Sequence, residues 1–336
     1  MDIKIKDGKP NAVIISIAEH LKVDIDYSSE SVARVRLPEE VGKGWLKQSN
    51  YRGGISVVEV RVFLKKEINL NYIQGHLHPL KIILNRKGLV KHQFHNKQEP
   101  EYLKEQGSVA MASIAKQYHT IFLPKNQEIS LLSIRINRKK FEKYIKEFSE
   151  TMDKNISALL RDVNGINPYF FEAYYDYQTA QILKSYFTAE HESVIENLYS
   201  LGLIYQLISI QFDKITTDNR LTNDEKKNFR SYNEKIIEAS RVIKANVSEF
   251  TTVIKLANQV NLNSKKLQQG FNQMYGMSVL EYVNNYRLSK VKSLLSETDL
   301  TISEICYQLG INSPSYMSKI FKEKFGISPK EYRKRK

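Results

Sequence analysis

The sequence predicts a mixed α+β protein. Its N-terminal domain is β-rich, a β-barrel or β-sandwich with trailing helices, and its all-α C-terminal domain contains two helix-turn-helix units. Short segments of alternating apolar residues dominate residues 31–135, which is typical of strands. From Asn137 onward the apolar residues recur with the helical period. Near the C-terminus, residues 252–282 and 301–332 are two copies of one pattern.

The β-rich domain is assigned to residues 1–136. Its strands are predicted within four apolar, partly β-branched segments: 56–64, 80–90, 108–116 and 128–136. Segment 80–90 is read as a strand, an Asn-Arg-Lys-Gly turn and another strand. Several short strands of this kind are typical of a small barrel or sandwich.

A helical segment is predicted over residues 137–213. Asn137 is a candidate cap for its first helix, and residues 169–188 read as a tyrosine-rich helix. The last helix carries apolar residues spaced alternately four and three apart, as in a heptad seam. The seam comprises Val194, Leu198, Leu201, Tyr205, Ile208 and Phe212. Two interpretations stay open, a dimerisation helix or a helix that packs on its own β domain.

The polar stretch 214–231 is predicted to be an interdomain linker. Ser231 and Glu234 then have the spacing of a capping box, which would begin the C-terminal domain, residues 232–336.

Charge and cysteine content limit the function classes. The 336 residues carry a formal charge of +14, and there is a single cysteine, Cys306. No intramolecular disulfide or cysteine-rich zinc site is therefore expected, and a lone thiol fits the cytoplasm. No signal sequence or membrane span is expected. Because the protein is strongly basic, its expected partners are polyanions, with nucleic acid first.

Each copy of the C-terminal repeat reads as helix, tight turn, helix. Thr252 matches Thr301 before the turn, and Phe271 matches Phe321 after one inserted residue. Ser278 and Ser328 each begin a capping box after the second helix. Two helix-turn-helix units on a connecting helix are a DNA-binding architecture, whose second helices enter successive major grooves about 34 Å apart. The alternative is a helical repeat used only for packing.

The residues that fill the outer face of the two second helices favour DNA binding. Gln and Asn can pair with adenine, and Lys can reach guanine or phosphate. The candidate DNA contacts are Lys265, Lys266, Gln268, Gln269, Asn272, Ser315, Tyr316, Ser318, Lys319 and Lys322.

The closing stretch SPSYMSKIFKEKFGISPKEYR, together with the repeat, resembles the AraC/XylS family of transcription regulators over residues 232–335. The resemblance implies a cupin-like N-terminal barrel that binds a small-molecule effector, a homodimer, RNA polymerase as a partner, and activation more often than repression. The KKLQQGF sequence around Gly270 also resembles the siderophore-responsive subgroup. A glycine inside a recognition helix suggests close approach to DNA or to a neighbouring helix.

Five aromatic, cationic and histidine side chains of the β domain are candidate effector contacts. They are Trp45, Tyr51, Arg52, His76 and His78. His76 and His78 have the spacing of a cupin metal site, but the carboxylate that completes such a site is missing from the following residues. No metal, cofactor or catalytic residue is therefore expected. The rival hypotheses are a metal-dependent cupin enzyme fused to a DNA-binding domain and an architectural DNA-binding protein without an effector.

Overall fold

The computed structural model describes residues 1–6, 10–73, 79–94, 99–112, 119–145, 151–189 and 193–334. The chain divides into two compact units, Met1–Leu221 and Thr222–Lys336. The first is β-rich with helices and the second is entirely helical in its described part, so the predicted α+β class is confirmed.

The strands of the first unit form two sheets. In chain order they are β1 (Asp2–Lys6), β2 (Asp26–Ser29), β3 (Val32–Arg36), β4 (Gly42–Tyr51), β5 (Ile55–Leu64), β6 (Ile68–Ile73), β7 (Leu80–Lys87), β8 (Val90–Phe94), β9 (Glu101–Leu103), β10 (Gly107–Ala112), β11 (His119–Leu123), β12 (Glu128–Ile136) and β13 (Tyr169–Tyr174). The five-stranded sheet has the order β1-β6-β11-β8-β9, and the eight-stranded sheet has the order β13-β10-β7-β12-β5-β4-β3-β2.

The helices of the first unit are α1 (Ala12–Leu21), α2 (Arg138–Tyr144), α3 (Lys154–Arg161), α4 (Tyr177–Thr188) and α5 (Val194–Arg220). Helix α1 packs beside the two sheets, and α2 to α5 cover the outer face of the eight-stranded sheet. No helix in the described part of the chain is long and apolar enough to cross a membrane.

The central strands of the eight-stranded sheet are buried on both faces, whereas the edge strand β2 is exposed. Ile83 and Val109 pack against the five-stranded sheet, and we call the layer between the two sheets the sandwich core. Ile82 and Ala110, one residue along, pack against the helices together with Leu203. Burial on both faces explains why β7 and β10 are nearly continuous apolar runs, since neither face needs polar side chains.

Two predicted elements of the first unit are wrong. Residues 169–188 are not one helix, because Tyr169–Tyr174 forms β13 and pairs with β10, and α4 begins only at Tyr177. The aromatic residues of YFFEAY favour a strand where an edge is available. The predicted linker 214–231 is helical apart from a short break, since α5 continues to Arg220.

The second unit contains seven α-helices and a 3-10 helix, Val247–Glu249, in its described residues. The α-helices are α6 (Asn223–Ala245), α7 (Val253–Gln259), α8 (Ser264–Tyr275), α9 (Val279–Glu297), α10 (Ile302–Gln308), α11 (Pro314–Phe325) and α12 (Pro329–Lys334). The capping box that begins it is formed by Thr222 and Glu225. Ser231 and Glu234, the predicted box, lie inside α6, so that prediction was wrong. A polar stretch rich in good helix formers was mistaken for a linker.

The predicted seam on α5 does not form one continuous surface. Ile208 is buried, Tyr205 stacks on Tyr144 with 6.3 Å between ring centroids, and Phe212 packs edge-on against Phe141. Leu201 is half-buried. Val194 and Leu198, in contrast, are 76% and 65% exposed. The second half of the seam therefore packs on its own unit, and only the first half is available to a partner.

Candidate nucleic-acid interface

The first helix-turn-helix unit consists of α7 and α8. The Thr252 hydroxyl accepts a hydrogen bond from the Lys255 backbone N–H and caps α7. In the turn, Asn261 has a φ of 53°, in the left-handed region. The Asn263 side chain then accepts from the Lys266 N–H at 2.8 Å and caps α8.

The second unit, α10 and α11, repeats this construction. Gly310, which matches Asn261, has a φ of 64°, and a Cβ there would lie 2.4 Å from the Ser248 carbonyl oxygen. The Ser313 hydroxyl accepts from the Tyr316 N–H, and Pro314 occupies the first helical position. Helix α11 therefore begins with a side-chain cap, as α8 does.

The ends of the two recognition helices, α8 and α11, also match. Gly276 and Gly326 are left-handed C-caps. Ser278 with Glu281 and Ser328 with Glu331 form reciprocal capping boxes that begin α9 and α12. The local signals of the repeat are thus realised in both copies.

Helix α9 connects the two copies. It has 19 residues, so it is about 28 Å long. Its buried stripe contains Val279, Val283 and Leu288. Val279 is buried, whereas the next residue, Leu280, is exposed.

Gly270 lies where α8 meets α6. A Cβ at this position would lie 2.2 Å from Cδ1 of Ile236 and 2.9 Å from the Tyr232 hydroxyl. That hydroxyl donates a hydrogen bond to the Lys266 carbonyl oxygen at 2.8 Å. Of the two predicted reasons for the glycine, close approach of a neighbouring helix is therefore the correct one.

The candidate DNA contacts divide into two groups by exposure. Eight side chains are exposed on one recognition helix or the other: Lys265, Lys266, Gln269, Asn272, Ser315, Tyr316, Lys319 and Lys322. Gln268 and its counterpart Ser318 are only half-buried at the edge of this face. The Gln268 Oε1 accepts a hydrogen bond from the Val279 N–H at 3.3 Å, so part of this side chain is used at the start of α9.

Charge favours a polyanionic partner for this unit. Residues 236–336 contain 16 Lys and Arg against 8 Asp and Glu. Cys306 is buried, like its counterpart Ala257, and burial raises the pKa of its thiol. The thiol is therefore a packing residue and poorly suited to redox sensing.

Of the candidate effector contacts, Trp45, Tyr51 and Arg52 lie apart from the sandwich core. Trp45 and Tyr51 share the face of β4 that carries Lys47, and the Trp45 ring lies near the Arg34, Lys47 and Arg61 side chains. Arg52 is exposed in a short 3-10 turn. His76 and His78 lie outside the described residues. These five residues stay a prediction that the described geometry does not gather into one site.

A buried polar cluster in the sandwich core was missed by the sequence analysis. It contains Lys81, His119 and Arg135. The only sequence signal was a lysine inside the apolar strand LKIILN. Within the described ranges, no group of three His, Cys, Asp or Glu side chains could hold a metal ion.

The second unit therefore has the geometry of a double helix-turn-helix DNA-binding domain. A family model described as a helix-turn-helix domain matches residues 256–335. The C-terminal unit contains a helix-turn-helix domain and is similar to AraC-type regulators, as its closing sequence predicts.

Similarity to known proteins is concentrated in this unit. The chain is 34% identical over 97 residues to the uncharacterized HTH-type transcriptional regulator YisR of Bacillus subtilis, covering 29% of this chain and 34% of that protein. It is 36% identical over 101 residues to the lactose operon transcription activator of Staphylococcus xylosus, covering 30% and 36%. The chain thus spans about a third of the length of these curated relatives.

Among solved structures, a Chromobacterium violaceum transcriptional regulator described by its AraC-type DNA-binding domain is 28% identical. The likeness covers 30% of this chain and 89% of that one, with a TM-score of 0.29.

Proposed function

We propose that this chain is a sequence-specific DNA-binding transcription regulator, acting as an activator in the cytoplasm, and that a small molecule bound by its N-terminal unit controls it. One observation carries the proposal. The exposed faces of α8 and α11 occupy equivalent positions of a structural repeat but carry different side chains, so each can read a different DNA sequence. Lys265 corresponds to Ser315, Gln269 to Lys319, and Asn272 to Lys322.

The chemistry of these positions supports base reading. In the first copy, Gln269 and Asn272 present amides that match the major-groove edge of adenine. In the second copy, Lys319 and Lys322 match the acceptors of guanine or a phosphate. A pair of helices held by α9 would bind two adjacent major grooves on one side of the duplex.

Transcription activation by recruitment of RNA polymerase is the role that these features favour over an enzymatic one. The matched Staphylococcus xylosus relative is itself named a transcription activator. The alternative is a metal-dependent cupin enzyme fused to a DNA-binding domain, whose candidate ligands His76 and His78 lie outside the described residues.

Pairing of two copies through the start of α5 belongs to the same proposal. Val194, Ile195, Leu198 and Tyr199 are all more than half exposed. Large apolar side chains grouped on a surface are typical of an interaction site. A homodimer would place two C-terminal units on one DNA molecule.

The effector acts by changing the populations of DNA-competent and incompetent states of the whole chain. The sequence around Gly270 resembles siderophore-responsive regulators, but Gly270 contacts Ile236 of α6. That sequence therefore serves packing in the C-terminal unit and supports no particular effector.

Binding of the full chain to duplex DNA, measured at several salt concentrations, tests the proposal. Replacement of Lys319 by Ala should weaken specific binding by roughly 1–3 kcal/mol. The matched control is Lys143→Ala, which removes an exposed lysine from α2 of the other unit. If both variants bind like the parent chain, or if the parent chain shows no sequence preference, the proposal is wrong.

A further inference from the structure

A lysine is buried in the middle of the N-terminal unit. Lys81 lies on β7, between β10 and β12, and is 2% exposed. It shares the inner face of the strand with Ile83, whereas Ile82 points to the helices. Its ammonium nitrogen lies 3.6 Å from the centre of the Tyr72 ring, across the sandwich core. In the described part of the chain, this nitrogen has no hydrogen-bond partner.

A second cation lies directly opposite. Arg135 on β12 pairs in register with Lys81, and its guanidinium carbon lies 5.5 Å from the centre of the same Tyr72 ring. Like charges that face each other across two strands destabilise a sheet. Arg135 has an interaction partner of its own, whereas Lys81 has no counterion among the described residues.

Two more buried polar side chains without a hydrogen-bond partner in the described structure face Lys81 in the sandwich core. His119 on β11 is buried and stacks on Tyr72 with 6.2 Å between centroids, and neither of its ring nitrogens has a hydrogen-bond partner among the described residues. The Ser133 hydroxyl, two residues before Arg135 on β12, is also buried without a partner in the described structure. Ser133 pairs with Ile83, which places it on the inner face. The cluster thus combines one free cation with two neutral groups that can donate hydrogen bonds.

Burial disfavours the protonated, charged forms of Lys81 and His119. It lowers the pKa of Lys81 to about 7. Burial and the neighbouring Lys81 and His92 charges lower the pKa of His119 well below 6.5. An anion beside Lys81 would reverse part of this effect, because it would favour the ammonium form.

We propose that the sandwich core binds a small molecule that carries a single carboxylate, with Lys81 as the counterion and His119 and Ser133 as hydrogen-bond donors. The inference rests on the proposed effector function of the N-terminal unit and names the chemical class of that effector. Tyr72, Phe94 and Met111 surround the cluster with apolar surface, so the rest of the molecule is apolar or aromatic.

The charge balance selects a monoanion. A neutral ligand would not stabilise the ammonium form of Lys81, so an anion gains more from this site. A phosphate monoester carries close to two negative charges at neutral pH, and removing two charges from water into an apolar core costs more than removing one. A carboxylate has two oxygens and accepts from several donors at once, which matches the groups available.

Calorimetric titration of the full chain tests this directly. The probes are benzoate, phenylacetate and octanoate, each compared with its own amide, and phenyl phosphate. We expect at least one carboxylate to bind, and its amide and phenyl phosphate to bind at least about 10-fold more weakly, as loss of an ionic hydrogen bond predicts. If no carboxylate binds, or if an amide or phenyl phosphate binds as tightly, the proposal is overturned.

Two variants place the site. Lys81→Met keeps the length and apolar stem of the side chain and should abolish carboxylate binding. Lys87→Met, at the exposed end of the same strand, should leave it unchanged. Carboxylate binding retained in folded Lys81→Met protein would contradict the proposal, and the titration of the parent chain decides the matter even if that variant does not fold.

DNA binding of the parent chain, measured in the same preparation, separates the two proposals. Carboxylate binding without sequence-specific DNA binding would reject the regulator and retain the ligand site. Specific DNA binding without carboxylate binding would do the reverse.

Discussion

Gly270 and Ile236 are in such close contact that a methyl group on Gly270 would lie 2.2 Å from Cδ1 of Ile236. Helix α8, which carries half of the candidate DNA contacts, therefore lies against α6 at a distance that leaves no room for a Cβ at position 270. The position of α8 thus depends on a residue outside the candidate DNA contacts.

Gly270→Ala should consequently destabilise the C-terminal unit by about 1–3 kcal/mol, because overpacking exceeds the small gain in helix propensity. Chemical denaturation of the full chain measures the loss. Ile236→Ala removes the atoms that clash, so the double variant should be more stable than the sum of the two single effects predicts. Simple additivity would show that the contact is not the reason for the glycine.

Gln268 and Gln269 are neighbours with different expected roles. The Gln268 Oε1 accepts from the Val279 N–H, so Gln268→Ala should lower the free energy of unfolding by about 0.5–1.5 kcal/mol. Gln269 is exposed, and Gln269→Ala should leave stability unchanged and weaken DNA binding. Denaturation and DNA titration of both variants check this. If the two variants lowered the free energy of unfolding equally, Gln268 and Gln269 would not have the different roles expected here.

Lys81 should make stability depend on pH. Its pKa is about 7 in the folded chain and near 10.5 when unfolded, so the unfolded chain binds more protons between these values and stability rises with pH. The groups facing it are Tyr72, His119, His92 and Arg135. From pH 7 to pH 9 the parent chain should gain roughly 2 kcal/mol relative to Lys81→Met. Parallel stability curves for the two proteins would contradict this prediction.

The exposed start of α5 should control assembly. Leu198→Lys places a charge in the apolar patch and should convert a dimer into a monomer, measured by sedimentation. Ser209→Lys, on an exposed position of the same helix, is the control and should remain dimeric. A monomeric parent chain at micromolar concentration would show that the patch does not pair two copies.

The helix-turn-helix repeat was predictable because its signals are local. Caps at Asn263 and Ser313 and terminal glycines at Gly276 and Gly326 are determined by residues within one helical turn. The break between α5 and α6 was misplaced because two capping-box patterns were available. The box at Thr222 forms, and the pattern at Ser231 lies inside a helix.

The sandwich-core cluster could not be predicted from the sequence. Lys81 and Arg135 are far apart in the chain, and only strand pairing brings them opposite each other. Strand β13 could not be predicted for the same reason. Its aromatic residues match a helical period, and only pairing with β10 makes the segment a strand. Sequence patterns identify buried faces, but the partners of a buried charge depend on long-range register.

Selection of bound sequences from a random DNA pool by the full chain tests the central claim most directly. The account predicts two different half-sites about 10–10.5 base pairs apart, centre to centre. Repeating the selection with Lys319→Ala should relax the half-site read by α11 and leave the half-site read by α8 unchanged. Absence of an enriched sequence, or an unchanged motif with Lys319→Ala, would contradict the account.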